Sequence, residues 1–278
     1  MKIQYLGTAA AEGVPSIFCR CPKCEMARKQ GGKNIRARTH AIIDDDLLVD
    51  FPPDAYLTSI RFNVDLSNVK HLLITHTHLD HFAPCDLKLR KVGFADNMSA
   101  PILTVYGTKT VGEKLKERGV NTVEFVELKL LEPTAIGEYI VTALPAIHML
   151  GSGEQPVTYL IEKNGKTLFY CLDTGLDQTI NQLPASIIEY FRARNIKIDF
   201  IGLDCTYGVN DYGWGQHLSL AENEIIIKHF KQEGFITDKT ILYATHFSHW
   251  NVLEQEEFEK EGAKYGVKIA YDGLKVEF

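Results

Sequence analysis

No apolar run in this chain approaches the ~18–20 residues that a membrane-spanning helix needs, so no span is expected. Charge of one sign is in no large excess either. Thirty Lys and Arg against 36 Asp and Glu leave a net charge of −6, which argues against bulk attraction to nucleic acid or to an anionic membrane. The opening MKIQYLGTAA has no basic region followed by a long apolar stretch. A secretory signal is therefore not expected, and the protein reads as cytoplasmic. Repeats, low-complexity tracts and linker-like segments are missing, and the chain reads as one domain, 1–278. Cysteine is sparse. Three of the six sit together at Cys19, Cys21 and Cys24, and in a reducing compartment such a cluster points to a metal rather than to disulfides.

What is present is an ordinary globular balance, 45% apolar and 24% charged, in a chain long enough for a real core. Short β-branched and aromatic runs recur: KIQYLG, THAIID, LLVDF, HLLIT, PILTVYG, TVEFVEL, YIVTALP, VTYLIEK, KTLFYCLD, IDFIGLD, TILYATH and VKIAYD. They predict strands. Asn164-Gly165 between two of them predicts a hairpin, because both turn positions want positive φ. Helical patterns fall at 54–62, 110–118, 177–192, 219–233 and 252–262. Ser219 with Glu222 has capping-box spacing. Many strands, some hairpin-linked, with helices between them suggest two packed sheets flanked by helices.

The stretch LLITHTHLDHF, residues 72–82, places His76, His78, Asp80 and His81 within six positions behind an apolar run. Imidazole nitrogens and carboxylate oxygens are good ligands for zinc, manganese or iron. Directly after a buried strand they sit on a turn at a sheet edge, where they can converge. A solvated loop of unrelated polar residues is the bland alternative. Ligand spacing within a His/Asp cluster is the stronger signal. H-x-H-x-D-H does not suit one ion, but it suits two ions roughly 3.5–4 Å apart. Two ions need further ligands, and later strand ends provide them: His148 after YIVTALPAI, Asp173 after KTLFYCL and His246 after TILYAT.

THTHLDH followed by His148, Asp173 and His246 in that order resembles the metallo-β-lactamase superfamily of hydrolases. The resemblance runs from Met1 to about Asp272. It implies an α/β fold, the four-layer αββα metallo-β-lactamase sandwich, with a dinuclear site at the sheet edges. It also implies a division of ligands. His76, His78 and His148 would hold one metal, Asp80, His81 and His246 the other, and Asp173 would bridge. Asp50, ending DLLVD, matches the family's aspartate at an early strand end and is expected to orient a ligand imidazole. A plain turn residue is the alternative there. The family often continues with a small residue and Gly, whereas this chain has VDFPPDAY, stiffened by Pro52 and Pro53. Asp204 in IGLDCTYG is a second candidate of the same kind.

FCRCPKCEMAR supplies three thiolates at close range, and a structural zinc usually takes four ligands. Sequence alone leaves Cys85, Cys171, Cys205 and several histidines open as the fourth. ATHFSHW places His249 three residues beyond His246. That pairing resembles the PhnP-type cyclic phosphodiesterases, whose pattern implies a structural zinc on Cys19, Cys21, Cys24 and His249. The PqqB-like relatives of quinone-cofactor biosynthesis also carry an early cysteine cluster. Cys85, Cys171 and Cys205 are left as buried small hydrophobes. YLGTAAAEGVPS resembles the family's opening strand and G-V-P loop. GQHLSLAENEIII resembles the segment carrying its histidine before a helix, here His217, which the resemblance makes the general acid. Two departures stand out. A glycine-rich stretch at 151–156, read as flexible, follows His148, and Tyr207, Tyr212 and Trp214 lie close to His217. These aromatics either line a pocket or pack the loop.

The expected activity is hydrolysis of a small phosphodiester, cyclic ones included, by a hydroxide between two divalent metals, manganese or zinc. His217 would protonate the leaving alkoxide, and Asp80 joins it as a catalytic candidate. The partner is then a small-molecule substrate, with no nucleic acid and no membrane; a homodimer is left open. A lactonase, an RNA-processing nuclease, a PqqB-like cofactor enzyme and a non-catalytic metal-binding protein are the alternatives. The complete ligand set argues against the last, and the acidic net charge against the nuclease.

Overall fold

Residues 1–151, 153–210 and 215–278 are described by the computed structural model. The β-branched runs pair into two seven-stranded sheets. The first holds β1 (Lys2–Gly7), β2 (His40–Ile43), β3 (Leu47–Val49), β4 (His71–Leu73), β5 (Thr104–Gly107) and β6 (Glu124–Glu127), with β14 (Lys275–Glu277) outside β1. The second holds β7 (Thr134–Ile136), β8 (Tyr139–Pro145), β9 (Val157–Lys163), β10 (Lys166–Cys171), β11 (Phe200–Asp204), β12 (Ile241–Thr245) and β13 (Lys268–Ile269). Each sheet starts antiparallel and ends parallel: β3 to β6 run parallel in the first, β10 to β13 in the second. The β9–β10 hairpin turns at Asn164 and Gly165, with φ of 51° and 72°, the mirror-image turn that matches strand twist.

Alternation along the strands builds three apolar layers. Along β10, Leu168 and Tyr170 face the first sheet, while Phe169 and Cys171 face the other way. The inter-sheet layer includes Tyr5, Leu73, Tyr159 and Phe200. Behind the second sheet, Phe169 and Leu203 pack against Ala27 of α1 (Pro22–Gln30), Phe191 of α4 (Ala185–Ala193), Phe230 of α5 (Leu220–Gln232) and Phe258 of α6 (Gln255–Lys264). Behind the first, Leu72 and Val105 pack against Phe62 of α2 (Ala55–Phe62) and Val111 of α3 (Lys109–Glu117). The order is helices, sheet, sheet, helices. This is the αββα sandwich.

Several local expectations are corrected. The helix predicted at 177–192 begins only at Ala185, because Asp177 closes a tight loop onto Gln182 O at 2.7 Å and Pro184 then sets the start. Helix α1 lies in the cysteine segment, whose apolar pattern is too weak to announce it. Strands β7 and β14 are three-residue edges, too short for a pattern. Cys171 and Cys205 are buried, but Cys85 is exposed, since Pro84 and Leu87 of its short turn take the inward positions.

Helix α5 has the capping box its sequence spells: Ser219 Oγ accepts from Glu222 N at 3.1 Å, and Glu222 Oε2 accepts from Ser219 N at 2.8 Å. Ser219→Ala should lower stability by ~1 kcal/mol, seen as a lower urea midpoint with an unchanged slope.

Candidate metal centre

Strands β3, β4, β8, β10, β11 and β12 all end at one edge of the sandwich, and every ligand expected for the dinuclear site follows one of them. Three of the residues there adopt left-handed backbone: Asp50 at φ 64°, Asp173 at 47° and His246 at 62°. Non-glycine residues rarely accept this conformation. Here it turns side chains off the strand ends into the seam between the sheets, strain of the kind that collects at functional sites. The turn after β4 is pinned to β3, with Phe51 N donating to His81 O at 2.7 Å and Ala83 N to Phe51 O at 2.8 Å.

His76 Nε2 and His148 Nε2 lie 3.1 and 3.2 Å from His78 Nδ1. Asp173 Oδ2 lies 2.5 Å from His81 Nε2, 3.2 Å from His246 Nε2 and 4.0 Å from His76 Nε2. Asp80 Oδ2 is 3.2 Å from His81 Nε2. The far nitrogens show which of these atoms carry protons. His81 Nδ1 donates to Asp50 Oδ2 at 2.7 Å, His246 Nδ1 to Thr206 Oγ1 at 2.7 Å, and His76 Nδ1 to Thr75 Oγ1 at 3.0 Å. Their Nε2 atoms therefore present bare lone pairs, and those lone pairs face carboxylates and one another. Asp173 Oδ2 is buried with no hydrogen-bond donor. Acceptors crowded against acceptors in a buried seam fit divalent cations placed between them.

The proton affinities repeat this. Burial alone would lower the His81 pKa, but Asp173, Asp80 and Asp50 together hold it well above its usual value. Asp173 is held well below the usual carboxylate range, burial being outweighed by His246 and His81. His76, behind the carboxylates, is pushed well down by burial and then by His81. A positive charge is wanted in the seam.

The residues behind the ligands come in two similar sets. Asp50 Oδ1 accepts from Thr75 N at 2.8 Å, and Thr75 Oγ1 reaches both Asp50 and His76. Asp204, fully buried, accepts from Thr206 N and Leu218 N at 3.0 Å each and meets His217 Nδ1 at 3.0 Å. Thr75 and Thr206 escape sequence reasoning. Thr75 directly precedes a ligand, but so does Thr245, whose buried hydroxyl has no partner. A T-H dipeptide is therefore an unreliable sign, and Thr206 serves His246 from 40 residues away. Gly175 permits the last approach: a Cβ there would lie 2.0 Å from Gly215 O, on the segment that brings in His217.

His217 sits beside the cluster, its ring centroid 4.9 Å from that of His148 and 5.7 Å from that of His246. Burial would depress its pKa, but Asp204 and then Asp173 raise it to about 9, so the ring is protonated at neutral pH. Tyr207 is buried with its ring edge-on to that of His217, centroids 5.6 Å apart. Tyr212 and Trp214 lie outside the described residues. On either side of Ser152, which lies outside the described residues, Met149 N donates to Gln216 Oε1 at 2.6 Å and Glu154 is buried.

About the turn after β12, Cys19, Cys21, Cys24 and His249 bring their four ligand atoms within 4.8 Å of one another. His249 Nδ1 lies 3.3 Å from Cys24 Sγ and 3.8 Å from Cys21 Sγ. Three thiolates and an imidazole are a tetrahedral zinc donor set. Glu12, which sequence reasoning missed, anchors this turn by accepting from Ser248 Oγ at 2.6 Å and His249 N at 3.0 Å.

An αββα sandwich with His/Asp ligands converging at one sheet edge defines the class of metal-dependent hydrolases with the metallo-β-lactamase fold. Residues 47–247 match the family described as the Beta-lactamase superfamily domain, and the chain belongs to that family. Among solved structures it is similar to Zn(2+)-bound PqqB from Methylobacterium extorquens, with TM-score 0.76, 19% identity and 100% of both chains covered. It is also similar to a diphosphatase from the PhnP family, with TM-score 0.75, 21% identity, and 100% and 96% coverage. Coenzyme PQQ synthesis protein B of Methylobacterium radiotolerans is 28% identical over 124 residues, which span 40% of this chain and 38% of that protein. Among the described residues no helix is long and apolar enough to cross a membrane.

Two outcomes check the donor sets. Cys21→Ser should cost one metal per chain by elemental analysis and lower the unfolding midpoint, because structural zinc adds folding free energy. Asp173→Ala should weaken retention of both metals in the seam, whereas His148→Ala should weaken mainly one, read by metal content after graded chelation.

Proposed function

We propose that the protein hydrolyses a small phosphodiester, cyclic ones included. Two cations would be held by His76, His78 and His148 on one side and by Asp80, His81 and His246 on the other, with Asp173 shared. Divalent metals so held supply charge stabilisation for phosphoryl oxygens and lower the pKa of water from about 15.7 to about 7. The observation that carries the reading is His217. Its Nδ1 is committed to Asp204 at 3.0 Å and Thr206 at 3.1 Å, and its ring stands against the rings of two ligand histidines. A charged imidazole fixed at the edge of a hydrolytic centre is suited to give a proton to a basic leaving group. An alkoxide leaving from phosphorus needs such a proton. Asp204 keeps the proton on the ring until it is needed, and Thr206 sets the ring's angle. The likeness in fold to a PhnP-family diphosphatase supports phosphorus chemistry.

The test uses leaving groups of different basicity. On an alkyl diester, His217→Ala should lower kcat by ~10²–10⁴-fold, the usual scale of acid–base catalysis. On bis(p-nitrophenyl) phosphate the loss should be small, because nitrophenolate leaves without help. Protonated His217 is the active form, so wild-type turnover of the alkyl diester should fall as pH rises towards about 9, with added cations moving that limb lower. The variant should lack the limb. Equal losses on both substrates would remove the general-acid role, and turnover of lactones with neither diester cleaved would overturn the reading.

A further inference from the structure

The loop between β8 and β9 carries His148 near its start and Glu154 near its end. Glu154 is 8% exposed, a rare setting for a carboxylate. Its oxygens reach across to the first sheet. Oε2 accepts from Thr77 N at 3.2 Å and from Thr77 Oγ1 at 2.5 Å. Oε1 accepts from Thr108 Oγ1 at 3.2 Å, just past the end of β5. Thr77 is the residue between His76 and His78. One buried carboxylate thus fastens the loop that carries His148 to the turn that carries the other two histidines.

We propose that Glu154 is a positioning residue for the metal site of His76, His78 and His148. This rests on the ligand assignment made above. Those three ligands come from two sheets, so their mutual placement depends on what joins the two loops. The backbone joins them at the base, where Val157 N donates to Thr75 O at 3.0 Å. Glu154 adds side-chain bonds next to the ligands themselves. Two donors of Thr77, its N and its Oγ1, converge on a single oxygen of Glu154. The clasp also ties down the end of the loop at Glu154, beside Gln155, whose Nε2 donates to Ala146 O and Pro156 O.

The test compares holoprotein of wild type, Glu154→Ala, Glu154→Gln and His148→Ala under a graded chelator, with metals per chain counted and urea midpoints measured alongside. Glu154→Ala should release one metal at about 10–100-fold lower chelator, the scale found when partners that orient ligands are removed. It should then match the metal content of His148→Ala and keep the metals of the other sites. Glu154→Gln keeps a carbonyl oxygen for Thr77 and should stay close to wild type. Wild-type retention by Glu154→Ala would overturn the proposal. So would uniform loss of every metal with a lowered midpoint, which would mark Glu154 as a support of the fold alone. Equal behaviour of Gln and Ala would show that charge acts and the clasp does not. If His148→Ala loses no metal, the ligand assignment itself falls, and that failure is read in the reference variant.

Discussion

Bare nitrogen and oxygen lone pairs converge on the seam between the two sheets, and much of the molecule is arranged around that crowding. His81 Nε2 faces Asp173 Oδ2 at 2.5 Å while its other nitrogen is spoken for by Asp50. Burying such groups without compensation is costly. A cation between them converts the cost into coordination. Metal binding at this edge would then be coupled to folding.

The fold meets that demand twice, in related ways. In each sheet the parallel half ends at the seam. Asp50 with Thr75 stands behind His76 and His81, and Asp204 with Thr206 stands behind His246 and His217. The second set differs in one respect that matters chemically: His217 is gathered by Asp204 as a charged ring outside the main donor set. In the proposed mechanism one half would offer ligands alone, while the other would add a proton donor.

The thiolate cluster belongs to the same economy of placement. His246 and His249 stand on one turn, and Glu12 fixes that turn from the loop leading to Cys19. A structural metal there would tether the cysteine segment to the strand end that positions His246. The two centres share a turn and no donor atoms.

The sequence by itself determined the periodic and the local. KIQYLG, YIVTALP and VTYLIEK fall on strands β1, β8 and β9, and the Asn164-Gly165 turn and the Ser219 cap stand as written, because alternation and short-range hydrogen bonds are encoded within a few residues. The residue types that gather in the seam, and their order, were legible too, since they come just after apolar runs. Short edges such as β14 were not, and neither was the late start of α4, where an irregular loop displaced a plausible helix. Only the tertiary structure decided what stands behind each ligand. Thr206 meets His246, and Glu154 meets Thr77, across separations of 40 and 77 residues. Such contacts follow from which strand ends share an edge, and no periodicity along the chain carries that information.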